Sequence, residues 1–205
     1  MKIKFIITTM QNCSNCDREI KWGGLGIFNT NEVISNERIS FINQFIDKTE
    51  ESYCTKCHLE PLSRATKNFN SIKKEIKEVE EEYMNSLPVL TLENPQGWNY
   101  RSIGLVKESK SVNTTYATYE KREARAFLNL KINTYNLGGN AVLGAKISRS
   151  IHGEGGSERY GRITIYGTGV EVLNTEVFPE DYHQAKRIYE SFEETRQMIA
   201  QFEKQ

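Results

Sequence analysis

The chain has 205 residues, 38% hydrophobic and 26% charged, which suits a globular protein of one medium domain or two small ones. Its 27 basic side chains are matched by 27 acidic ones, so no long-range field draws it to nucleic acid or an anionic membrane. No apolar run approaches the roughly 18 residues of a membrane span, and Lys2 and Lys4 break up the opening segment, with no small-residue cleavage site before Cys13.

A cytoplasmic location is therefore expected, where thiols stay reduced. Residues 2–9 alternate, with Ile3, Phe5 and Ile7 on one side, and predict a strand leading into the first cysteine pair. The chain's four cysteines form two Cys-x-x-Cys pairs, Cys13/Cys16 and Cys54/Cys57, all in the first third. Two residues between ligands let one tight turn aim both sulfurs at a single ion. A second such knuckle closes the shell, which is the pattern of structural zinc. A redox pair normally stands alone in a βαβ context, so redox or disulfide chemistry ranks behind zinc, as does an iron–sulfur centre. Between the pairs, residues 20–28 read as a hairpin with turn-forming glycines. Ile39, Ile42, Phe45 and Ile46 fall at helical spacing, and the second knuckle runs toward a helix. Residues 1–62 are thus expected to form a zinc-binding module of treble-clef or zinc-ribbon type. Four thiolates complete the shell, which leaves His58 exposed or behind the ligands.

Residues 68–86 are strongly charged, with Phe69, Ile72, Ile76, Val79 and Tyr83 in a 3, 4, 3, 4 stripe. A connecting helix is expected over 63–86, either simply amphipathic or self-associating. It ends before Pro88, with a domain boundary near Asn85. A short strand at 89–92, a turn at 94–97 and a strand through Trp98, Tyr100, Ile103, Leu105 and Val106 follow. Residues 120–137 read as a helix with Ala126, Phe127, Leu130, Thr134 and Leu137 on one face, ended by Gly138 and Gly139. A strand at 141–147 places Leu143, Ala145 and Ile147 on one side, and a glycine-rich hairpin loop spans 149–160. In the last strand, 162–172, the alternation of Ile163 and Ile165 passes to Val170 and Val172 on the other parity. A bulge or a close backbone approach around Gly167 and Gly169 would account for it. Pro179, followed by Glu180 and Asp181, opens a final helix to about Phe202.

The segment 137–145, LGGNAVLGA, resembles the LGANAVVG signature of the YbjQ-like family, whose members are labelled heavy-metal-binding domains. GWNYRSIGLV at 97–106 is similar to that family's GYxIxxxLGVV strand, and IYGTGV at 165–170 to its closing AYGTAV strand. The helix carrying Ala126, Phe127 and Leu130 lies where the family places its own. The resemblance runs from about residue 88 to 173. Gly139 stands where alanine is usual, a conservative departure. The resemblance implies a compact α+β domain assembled into a ring, with a pentamer the associated form. The heavy-metal label has little chemical support between 88 and 173, where there is no cysteine and His152 is the lone histidine.

The fold class expected is therefore α+β: the zinc-bound module (1–62), the connecting helix (63–86), a YbjQ-like α+β domain (87–175) and a C-terminal amphipathic helix (176–205). No residues combine into a catalytic set. The sequence 152–156, HGEGG, lacks the Gly-Lys-Ser/Thr of a phosphate loop. Glu78, Glu80, Glu81 and Glu82 sit among lysines as a solvated face, and Asn140 is expected to bond backbone in a tight helix-to-strand turn. The function expected is a non-enzymatic homo-oligomeric scaffold or binding protein with one structural zinc, a protein being its expected partner; the knuckles lack the surrounding basic patch of a nucleic-acid reader. Metal sensing or sequestration is the alternative, and an enzyme with its site at subunit interfaces the second.

Overall fold

The computed structural model describes residues 11–20, 34–113, 116–152 and 160–204. The strand expected at 2–9 and nearly all of the hairpin expected at 20–28 lie outside the described residues, as does most of the 149–160 loop. In chain order the elements are β1 (Gln11–Asn12), β2 (Glu19–Ile20), α1 (Asn36–Ile46), α2 (Leu59–Ser86), β3 (Tyr100–Asn113), α3 (Tyr116–Asn136), β4 (Ala141–His152), β5 (Tyr160–Val172), a 3-10 turn (Thr175–Val177), α4 (Glu180–Ser191) and α5 (Glu193–Phe202). The architecture is α+β. Two compact units divide it, one holding the described residues up to Ile76 together with those from Glu193 onward, the other Lys77–Phe192.

In the first unit, Ser35 caps α1 by accepting a hydrogen bond from the Arg38 N–H at 3.4 Å. The helix buries Ile39, Ile42 and Phe45, close to the expected face. Phe41 and Phe45 of α1 meet Phe69 of α2 and Phe202 of α5, with four ring centroid distances between 5.2 and 5.6 Å at tilted or edge-on angles. Edge-on aromatic contacts add about 1 kcal/mol each beyond the area they bury. The helix expected to continue unbroken from Pro179 to Phe202 is two helices meeting at Phe192, whose N–H bonds back to Tyr189. Tyr182 and Ala185 of α4 serve the second unit's core, whereas Phe202 of α5 serves the first unit's.

In the second unit the antiparallel sheet has the order β3-β5-β4. Residues 88–92 run along the outer edge of β4 through bonds from Leu90 N–H to Val142 O (2.8 Å) and Gly144 N–H to Leu92 O (2.9 Å). Ala126 and Leu130 of α3 pack on Val106, Val142, Ala145, Ile163 and Ile165, one face of the sheet. Val170 and Val172, of opposite parity, lie in a second cluster with Tyr83, Leu87, Leu143, Phe178 and Tyr182. Strand β5 is continuous, so strict alternation sends the two pairs of residues to opposite faces. The extra residues fall on its neighbours instead: register slips between Ser102 and Gly104 in β3, and between Leu143 and Lys146 in β4.

Two positions of the helical stripe pack within the chain. Phe69 joins the phenylalanine cluster of the first unit, and Tyr83 stacks on Tyr189 at 4.6 Å in the second. Helix α3 ends as expected at Gly138, whose φ of 87° is the left-handed conformation that glycine adopts without a Cβ clash. Gly139 is not interchangeable with alanine, contrary to expectation. A Cβ there would lie 2.7 Å from Ile103 Cδ1, 2.8 Å from Thr134 Cγ2 and 2.9 Å from Val170 O.

Candidate metal centre

The first knuckle is the turn of the β1–β2 hairpin, in which Gln11 pairs with Ile20 and Asn12 with Glu19. The Cys13 N–H donates to Arg18 O at 2.8 Å, and the Asp17 N–H to Cys13 O at 2.9 Å. Asp17 takes a left-handed φ of 55°, which a short polar side chain tolerates. The second knuckle, at Cys54–Cys57, runs straight into α2: the His58 N–H bonds Cys54 O, and the Leu62 N–H bonds His58 O at 2.8 Å.

Ser52 ties the two knuckles together. Its Oγ donates to Asn12 O at 2.5 Å, and its carbonyl accepts from the Ser14 N–H at 3.1 Å. The Cys54 N–H points at Cys13 Sγ, 3.4 Å away. These contacts bring together four sulfurs from segments about forty residues apart, all within 4.8 Å of one another. Cys16 Sγ and Cys54 Sγ are 3.9 Å apart. Zinc–sulfur bonds of about 2.3 Å in a tetrahedron separate the sulfurs by about 3.8 Å. All four cysteines are free thiols. The cluster is close enough to hold a metal ion.

The electrostatics favour thiolates at Cys13 and Cys54. Burial pushes the Cys13 thiol up, but the backbone N–H groups of Cys54, Asn15 and Cys16 outweigh it and bring its pKa down to about 6. The Cys54 thiol is lowered chiefly by the Cys57 N–H, with help from the Lys56 N–H and against its own burial. In both knuckles the first sulfur thus accepts from backbone two and three residues ahead. Cys57 is pushed up to about 12, mainly by the Cys16 sulfur beside it. Anionic sulfurs this close repel one another unless a cation joins them. The donor set fits a soft or borderline divalent cation. Cys13 and Cys54 are buried, Cys57 half-buried and Cys16 exposed.

His58 stands outside this group of four. It is 8% exposed, and its Nδ1 is buried without a hydrogen-bond partner among the described residues. It is therefore buried rather than on the surface. Tyr53, fully buried, has an unpaired hydroxyl likewise. The adjacent cysteine motif gives no sign of either buried polar atom, because burial depends on what the rest of the unit packs over them.

Among the described residues, no helix is long and apolar enough to cross a membrane. No family model matches the chain, and no curated protein matches it. Among solved structures it is similar to a protein of unknown function from Pediococcus pentosaceus, described as belonging to the DUF74 family. The identity is 18%, over 41% of this chain and 95% of that one, with a TM-score of 0.37.

Proposed function

We propose that the chain is a non-enzymatic, homo-oligomeric scaffold or binding protein whose first unit is held together by one structural zinc. Cys13, Cys16, Cys54 and Cys57 are the ligands. The observation that carries this is the convergence of four thiols from two knuckles within 4.8 Å. A closed four-thiolate shell leaves no coordination position for substrate, so the ion crosslinks rather than catalyses. What it crosslinks is the β1–β2 hairpin and the start of α2, a segment with little core of its own.

Residues 87–175, within the second unit, are assigned to the YbjQ-like family. In support, LGGNAVLGA covers the α3–β4 turn and IYGTGV lies in the central strand. Assembly into a ring follows from that assignment. The alternative, a protein that senses or sequesters metal, draws on the exposure of Cys16, which gives a chelator or acceptor protein a route to one ligand.

Chelator competition with light scattering separates the two readings. A structural site predicts slow metal loss on a scale of hours, accompanied by unfolding of the first unit, in a discrete oligomer. Loss within seconds from a chain that stays folded supports metal handling, and a strict monomer contradicts the scaffold.

A further inference from the structure

The sheet of the second unit has one face under α3 and another that is only half covered. The pleat assigns side chains to each. On the α3 side the charges are paired: Glu108 with Lys110 at 3.0 Å, and Arg149 with Glu123 at 2.9 Å. On the opposite face, one end is closed by the cluster around Val170, Val172 and Tyr182. The remainder is exposed, apart from half-buried Thr164 and Ser150, and set out in rows by the strand register. Lys107, Tyr166 and Lys146 lie side by side across the three strands, followed by Ser109, Thr164 and Ser148, and then Ser111, Arg162 and Ser150. Ser109 and Thr164 hydrogen-bond each other at 3.0 Å.

Three cations, one aromatic ring and five serine or threonine hydroxyls thus share a face on which no sheet residue in these rows is acidic. Lys146 reaches Glu93 at the rim, 3.6 Å away. Among the described residues Lys107 and Arg162 have no carboxylate partner. The chain's zero net charge is a sum over all its residues and does not exclude such a local cluster of cations.

We infer that this open half-face docks single-stranded nucleic acid. Tyr166, 36% exposed in the central strand, offers a ring on which a base can stack. Lys107 and Lys146 flank it to meet phosphates, Arg162 lies about 13 Å further along β5 at strand spacing, and the hydroxyl row between them donates to phosphate or sugar oxygens. Charge and the aromatic ring together select this occupant over an acidic peptide, which has no use for the ring face. Duplex is disfavoured, since its bases are already stacked on one another. The surface belongs wholly to the second unit, so the inference stands or falls independently of metal at the cysteines.

The test uses the full chain with its metal retained and fluorescein-labelled oligothymidylate and oligouridylate, read by anisotropy over a salt series. Binding in the range of 10⁻⁵ M at low salt is expected, with a log–log salt slope of about −2 for three phosphate contacts. A Lys107→Gln/Arg162→Gln double variant, folded by circular dichroism, should lose about tenfold or more in affinity and flatten the slope to about −0.7. Tyr166→Leu should lose about fivefold or more with the slope unchanged. Unchanged binding by the double variant overturns the proposal, as does equal displacement by polyglutamate of the same charge. Acetylation footprinting that finds Lys107 and Lys146 shielded in the free protein also overturns it, by showing the face to be a contact between copies.

Discussion

Asn140 bonds both backbone groups of Val172: its Nδ2 donates to Val172 O at 3.0 Å, and its Oδ1 accepts from the Val172 N–H at 2.7 Å. Its own N–H adds a bond to Val170 O at 2.9 Å. The side chain thus stands in for a piece of strand and fastens the α3–β4 turn to the end of β5. Asn140→Ala leaves two partly buried backbone groups unpaired and should cost about 2 kcal/mol. Asn140→Asp keeps the acceptor but sets a carboxylate against Val172 O, and should be no better. Urea midpoints shifted at constant m would confirm both.

Gly139 is seated against the same strand, where a Cβ would come within 2.9 Å of Val170 O and 2.8 Å of Thr134 Cγ2. Gly167 is similarly placed, with Leu143 O at 2.9 Å and Val142 Cγ1 at 2.6 Å. At Gly169 the nearest atoms belong instead to the Ile103 and Val106 side chains, which can move. Alanine at 139 or 167 should therefore cost about 2 kcal/mol or more, and clearly more than alanine at 169. Thermal unfolding of the three variants gives the order.

Glu108 anchors β3 to α3, accepting from Asn129 Nδ2 at 3.0 Å and Asn133 Nδ2 at 3.4 Å, beside Lys110. Burial pushes its carboxyl up, but the Asn129, Lys110 and Asn133 contacts outweigh this and hold it below its ordinary value of 4.5. A depressed folded pKa means stability that is complete above the unfolded value and lost as pH falls through the folded one. Glu108→Gln should cost about 1 kcal/mol at neutral pH, and the deficit should shrink below pH 4.5. A deficit that grows on acidification would contradict the assignment.

Phe202 joins the cysteine-bearing unit from the far end of the sequence, its ring 5.3 Å from Phe45 and 5.6 Å from Phe41. Phe202→Ala should cost the first unit about 3 kcal/mol. A loosened unit opens the knuckles more often, so metal transfer to a colorimetric chelator should speed up about tenfold or more. An unchanged transfer rate would separate the helix from the site.

These tests fall unevenly across what the residues announce. The convergence of the four cysteines was legible because each Cys-x-x-Cys turn aims two sulfurs at one point, and Asn140 because asparagine after a glycine cap has few other uses. The continuation of β3 to Asn113 was not. Beyond Val106 one face of the strand is open and the other pairs Glu108 with α3, so no apolar alternation marks it. Of the two causes expected for the parity change in β5, the close backbone approach is found at Gly167, where a Cβ would lie 2.9 Å from Leu143 O, whereas the bulges sit in β3 and β4. The return of α5 to the first unit was also hidden. An amphipathic stripe records that a helix is covered, not by what.

The central claim is that four cysteines hold one zinc ion. Mass spectrometry of the purified chain, native and then denatured, tests it most directly. The account predicts one zinc per chain in the native spectrum and none after acid denaturation. It also predicts none in a Cys54→Ser variant whose second unit remains folded. A metal-free native chain, or a mass short by the four hydrogens lost in forming two disulfides, would contradict it.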